Sequence, residues 1–172
     1  LDQLCLSGRV VWARLTPPGV ARGKARRAGS VRTAPVALVQ RKNLPDWKGL
    51  AAAVVVSEEG LSGKAAKLQA CLRERGAQFF DELVGCAGML RTEVEEALGE
   101  LVAWGRASSD SFAGLRALLK PAEARSRSHR RGRGMRRPLA APGGGVEEAG
   151  RWAPVIPASP PDPEGGEPDP GA

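Results

Sequence analysis

The 172-residue sequence predicts a mainly α fold with a small β component, and two observations carry that expectation. Between Leu61 and Lys120 apolar residues recur at helical spacing and are punctuated by helix-start and helix-stop residues. The end of that unit is then echoed near the N-terminus. Leu1-x-x-Leu4-x-x-x-Gly8-Arg9 aligns with Leu98-x-x-Leu101-x-x-x-Gly105-Arg106 at an offset of 97 residues.

Within residues 61–120, Ser62 is placed to cap a helix whose Ala65, Leu68 and Leu72 share a face, with Gly76 as its left-handed stop. Ala77 to Phe80 reads as a brief strand. Asp81 is expected to cap a short helix through Cys86 with Leu83 and Val84 facing inward, and Gly88-Met89-Leu90 forms a tight turn. Thr92 and Glu95 have the spacing of a capping box for the next helix. Its stripe is Val94, Ala97, Leu98, Leu101 and Val102, and Gly105 ends it. Ser108-Ser109-Asp110 reads as a turn inside a terminal hairpin. Helix, short strand, helix, turn, helix and hairpin together make a winged helix-turn-helix.

Residues 1–41 read as the last helix and β-wing of a preceding unit of the same kind. Val10 to Leu15 alternates, with Val11, Ala13 and Leu15 on one face and Val10, Trp12 and Arg14 on the other. Ala34 to Gln40 suits the returning strand, and Pro17-Pro18-Gly19 opens a long basic tip. Residues 42–60 form a connector in which Pro45 and Trp47 fit a docked turn. The stretch 121–172 is Arg-rich, then Pro-rich and acidic, without periodic apolar residues, and is expected to be disordered. Gly150-Arg151-Trp152 interrupts it as a candidate docking point. A chain that opens on Leu1 inside a helix-like run is expected to be a fragment of a longer protein.

Charge is distributed in blocks. The net charge is +7, with +6 over residues 1–60, zero over 61–120, +6 over 121–140 and −5 over 141–172. Two basic blocks flanking a neutral unit point to a polyanion rather than to a membrane, since neither block is an amphipathic helix. The nucleic-acid-binding candidates are therefore Arg22, Lys24, Arg26, Arg27 and Arg32 on the hairpin tip. Arg125, Arg127, Arg130, Arg131, Arg133, Arg136 and Arg137 in the second block join them. A solubilising role is the plainer alternative for both. Trp12 could stack on an unpaired base or cover a neighbouring module, and the second fate is the more common for a Trp. Trp47 and Trp104 are expected to pack. The helix over 93–104 carries Glu93, Glu96 and Glu100, which phosphates would repel, so a packing or spacer role is expected for it.

No catalytic, metal or cofactor site is expected. Gly60-Leu61-Ser62-Gly63-Lys64-Ala65 lacks the spacing and hydroxyl of a phosphate loop. The single histidine, His129, lies among arginines, and the adjacent carboxylates Asp81-Glu82 and Glu95-Glu96 suit helix N-termini. Cys5, Cys71 and Cys86 form no CxxC pair and are expected to be reduced thiols. The absence of a signal segment or an apolar run of about 18 residues predicts a cytoplasmic chain.

Two stretches resemble a known family. LDQLCLSGRVVWARL with TAPVALVQRKNLPDW is similar to the segment preceding one of the C-terminal winged helices of large helicase-related (Lhr-type) ATP-dependent DNA helicases. LRERGAQFFDELVGCAGMLRTEVEEALGELVAWGRASSDSFAGLRALL is closer still, notably RGAQFFDELV and SSDSFAGLRALL. An Arg-rich linker ending in Gly-Arg-Trp, as at Gly150-Arg151-Trp152, is similar to the family's continuation beyond that winged helix. The resemblance covers about residues 1–120 plus that tripeptide. It departs in the Pro/Asp/Glu tail and in the small-residue run Gly85-Cys86-Ala87-Gly88. It implies a DNA-binding accessory region without its motor, with ATP and magnesium belonging to that missing motor. The implied partners are DNA, with RNA left open, the motor itself, and neighbouring winged helices. A free-standing winged-helix transcriptional regulator and a non-functional gene fragment are the alternatives.

Overall fold

The computed structural model describes residues 1–15, 35–52, 60–120 and 145–155. The fold is mainly helical with two small antiparallel sheets. In order, the elements are α1 (Asp2–Leu6), β1 (Val10–Ala13), β2 (Ala37–Gln40), a 3-10 turn (Arg41–Asn43) and α2 (Leu44–Ala52). These are followed by α3 (Gly63–Arg75), β3 (Gln78–Phe79), α4 (Phe80–Ala87), α5 (Arg91–Ala103), β4 (Ala107–Ser109) and α6 (Phe112–Leu119). A 3-10 turn (Val146–Glu148) and β5 (Arg151–Pro154) complete the fold.

The repeated Leu-x-x-x-Gly-Arg signature forms the same structure twice. At α1, Gly8 N–H donates to Cys5 O at 2.9 Å and Arg9 N–H to Leu4 O at 3.1 Å. At α5, Gly105 N–H donates to Val102 O at 3.0 Å and Arg106 N–H to Leu101 O at 2.7 Å. Both are Schellman ends, which need positive φ at the glycine, and Gly8 and Gly105 have φ of 72° and 69°. At Gly105 a Cβ would also collide with the Arg14 carbonyl oxygen, so no side chain fits there. Each turn launches a strand, and the two strands, β1 and β4, lie beside one another.

The helices of the main unit form largely where periodicity places them. Ser62 caps α3, its Oγ accepting from Ala65 N–H at 3.2 Å. Leu68, Leu72, Leu83, Val94, Leu98 and Leu101 are fully buried together, and α3 packs along α5. Two caps differ from expectation. Phe79, not Asp81, precedes α4, and its N–H is satisfied by Glu82 at 2.7 Å. Leu90, not Thr92, precedes α5, its N–H donates to Glu93 at 2.9 Å, and Glu95 turns inward. In both cases a Glu three residues on satisfies the first free N–H although the capping residue is apolar. The polar side chain that usually marks such a start is missing.

The terminal hairpin is also different. Ser108 and Ser109 lie in β4 rather than in a turn, and Phe112–Leu119 is a helix that buries Leu115 and Leu118. The strand that completes the sheet is β5, which enters between β3 and β4 in the order β3-β5-β4. Gln78 and Ser109 are the register partners of Trp152 on its two sides. The expected disorder of 121–172 is thus corrected at residues 145–155, and the rest of that stretch lies outside the described residues. Val146, Ala149 and Trp152 are all core residues.

From residues 1–41, Cys5 and Trp12 belong to the same core as α3, α4 and α5. Trp12 is fully buried, donates its indole N–H to Ser111 O at 2.9 Å and meets Trp152 edge-on with ring centroids 6.3 Å apart. β1 does not have one wet face, since Val11, Trp12 and Ala13 are all buried. Its pairing with β2, Val10 opposite Gln40 through Ala13 opposite Ala37, forms the expected hairpin.

Cys71 in α3 and Cys86 in α4 are joined as a disulfide with Cα atoms 6.2 Å apart, which corrects the expectation of reduced thiols, while Cys5 is free and buried. The pairing was hidden because it depends on how α3 and α4 cross, not on spacing. Alkylation of the unfolded, unreduced chain should label Cys5 alone, and reduction should expose all three thiols. For a sequence separation of 15, loss of the bridge in Cys86→Ser should cost about 3 kcal/mol, read from denaturant unfolding.

Candidate nucleic-acid interface

The twelve candidate binding cations lie outside the described residues: Arg22, Lys24, Arg26, Arg27 and Arg32 in 16–34, and Arg125, Arg127, Arg130, Arg131, Arg133, Arg136 and Arg137 in 121–144. His129 lies there as well. The positions where each basic stretch leaves and rejoins the fold are described. The first joins β1 to β2 beyond the Ala13–Ala37 pair. The second leaves at the end of α6 and returns through Val146 into β5. Its return is firmly held: Arg151 N–H donates to Asp110 at 2.9 Å, Asp110 N–H to Arg151 O at 3.0 Å, and Ser111 Oγ to Ala149 O at 2.7 Å. The seven arginines therefore sit in a connection anchored at both ends, not in a free tail.

The carboxylates of α5 do not form an open acidic face. Glu93 holds Leu90 N–H and pairs with Lys64 at 3.0 Å. Glu100 accepts from Ser62 N–H at 2.7 Å and Ser62 Oγ at 2.6 Å. Two of the three acids thus tie α5 to the start of α3, and of the three only Glu96 is exposed. Ser62 and Lys64, the polar residues of the loop-like Gly60–Ala65 stretch, are both engaged by α5 acids. The Leu90 N–H first, and Lys64 second, hold the Glu93 carboxyl below its ordinary range. A depressed carboxylate contributes stability above its unfolded pKa and loses it as pH falls through the folded value. Glu93→Gln should therefore lower the thermal midpoint at neutral pH, and the difference from wild type should shrink in acid. Glu96→Gln should leave the midpoint unchanged.

At the start of α5, Arg91 pairs with Asp81 and Glu147 and lies 5.0 Å from the Phe80 ring centroid. This ties α4, α5 and the 3-10 turn together, so Arg91 does not project as a free groove-reading cation.

Of the tryptophans, Trp12 and Trp104 are covered as expected, and Trp47 is not. Trp12 and Trp152 are fully buried and Trp104 is 5% exposed, whereas Trp47 on α2 is 47% exposed. The packing role expected for Trp47 is therefore corrected. α2 lies just beyond the hairpin and contacts little besides its own 3-10 turn. The signal that could have marked Trp47 is its setting, Arg41-Lys42 before it and Lys48 after it, with Asp46 the only acid among them. Partial burial, which disfavours the charged ammonium, lowers the Lys48 pKa.

Among the described residues no group of three His, Cys, Asp or Glu side chains could hold a metal, and no helix is long and apolar enough to cross a membrane. No protein-family model matches the chain, and no curated protein matches it.

Proposed function

We propose that the chain is a nucleic-acid-binding accessory region of an Lhr-type ATP-dependent DNA helicase, built on a winged-helix plan and without the ATPase motor. The plan is supported by the element order α3-β3-α4-α5-β4 followed by β5, with β5 central in the sheet. In this reading α4 and α5 are the helix-turn-helix pair and β4-β5 the wing, with α6 and residues 121–144 inserted between its strands. β1-β2 is the wing of the preceding module, docked on the second through Trp12 and Trp152.

The observation that supports the functional reading is that both basic stretches start and end on ordered elements, the first between β1 and β2, the second between α6 and the 3-10 turn that leads into β5. Cations delivered from anchored ends suit phosphate contacts, which position a protein on nucleic acid but carry no sequence information. The partners are DNA, with RNA left open, together with the motor and adjacent modules of the longer protein. ATP and magnesium act only at that motor.

Anisotropy titration of labelled oligonucleotides with the full chain tests the reading. Single and double strands of unrelated sequence should bind with similar affinity, and the purified protein should show no ATP hydrolysis with or without DNA. Turnover stimulated by DNA, or strong preference for one sequence, would contradict it.

A further inference from the structure

We propose that Trp47 is a stacking platform for an unpaired base, with Lys42 and Lys48 beside it to take the flanking phosphates. The proposal rests on the nucleic-acid reading above and names the form of nucleic acid, a single strand. Of the four tryptophans, Trp47 alone presents about half its surface to water, while the other three are enclosed by the core. It stands on α2 in a short helical run that begins with Arg41 and Lys42. Arg41 is anchored by its Nε–H to Gly8 O at 3.0 Å, and its N–H donates to Arg9 O at 3.0 Å, which brings Arg9 to the same end of the hairpin. Arg41, Lys42 and Lys48 thus lie in the ring's own helical run, with Arg9 joined to its start and Asp46 the only acid in that run.

An indole face is attractive to any base, because every base has a π-face, but the bases of a duplex are already stacked on each other. The surface should consequently prefer single strands without preferring a sequence. Leu50, three residues on and exposed, makes a protein partner conceivable. The centres of protein–protein contacts are depleted in charge and particularly in lysine, whereas the helical run that carries Trp47 and Leu50 also carries Arg41, Lys42 and Lys48, which favours the strand.

The test uses the full chain and two readouts, anisotropy of labelled oligothymidylate or duplex and intrinsic tryptophan emission. Because the other indoles are buried, the red edge of the emission belongs to Trp47. Oligothymidylate should quench it in step with the anisotropy rise, and duplex bound to equal saturation should not. Trp47→Ala should weaken single-strand binding roughly 5- to 160-fold, the range expected for one lost stacking partner, with Trp47→Phe in between and duplex affinity unchanged. Circular dichroism checks that both variants keep the fold. Single-strand binding without quenching, or with wild-type affinity in Trp47→Ala, overturns the stacking role and leaves the nucleic-acid reading intact. Absence of an anisotropy rise with every oligonucleotide overturns both. Self-association that Trp47→Ala abolishes while single-strand affinity stays unchanged would assign the face to a second copy of the chain.

Discussion

Trp152→Ala is expected to destabilise the protein by about 3–5 kcal/mol, the range for truncating a fully buried large aromatic residue. For a domain of this size that lowers the thermal midpoint by at least about 12 °C, and it removes a large share of a total that is commonly about 5–15 kcal/mol. The site has no slack: the ring is fully buried, Trp12 meets it at 87°, and its strand is paired on both edges. Removing the ring leaves a cavity between the N-terminal hairpin and the main unit, so both should loosen together. Truncation after Lys120 should be harsher, because β3 and β4 pair only through β5. The shortened chain should lose its cooperative transition in differential scanning calorimetry. A midpoint unchanged by Trp152→Ala would mean that residues 145–155 do not complete the fold.

The largest expected effect on binding comes from changing Arg130, Arg131, Arg136 and Arg137 together to Ala. Each phosphate contact contributes about 0.7 to 0.9 to the slope of log affinity against log salt, so four lost contacts should flatten it by about 3. Affinity should fall across all sequences alike, because these contacts read no bases. Stability should not change, since the anchors of this connection are Val146, Ala149 and Trp152 rather than the arginines. The α5 acids behave differently. Glu93→Gln and Glu100→Gln remove ties to Leu90 and Ser62, so any effect on binding must be separated from an effect on folding. A quadruple arginine variant with unchanged salt dependence would move the interface away from residues 121–144.

What was legible in the sequence was the part set by local rules. The stripe from Val94 to Val102, the Ser62 cap and the glycine stops at Gly8 and Gly105 follow from helical periodicity and the positive φ that only glycine takes easily. The echo at 97 residues foretold two identical helix ends, each leading into a strand. What was not legible depends on contacts distant in sequence. β5 has four residues and no periodic run, and it is stable only because it fills the gap between β3 and β4. Likewise, only the crossing of α3 and α4 brings Cys71 to Cys86. Period-2 alternation in β1 could not reveal that both its faces are covered, and spacing alone could not show that Trp47 stays exposed. Of the candidate site, the sequence located the basic blocks, and the structure supplied their anchored ends and the exposed indole.

The salt dependence of wild-type affinity for an oligonucleotide tests the account most directly, because anchored basic connections act through phosphate charge alone. If the seven arginines of residues 121–144 all engage, log affinity should fall against log salt with a slope approaching about −5 to −6. Affinity that holds constant from low to moderate salt, or no measurable binding at low salt, would contradict it.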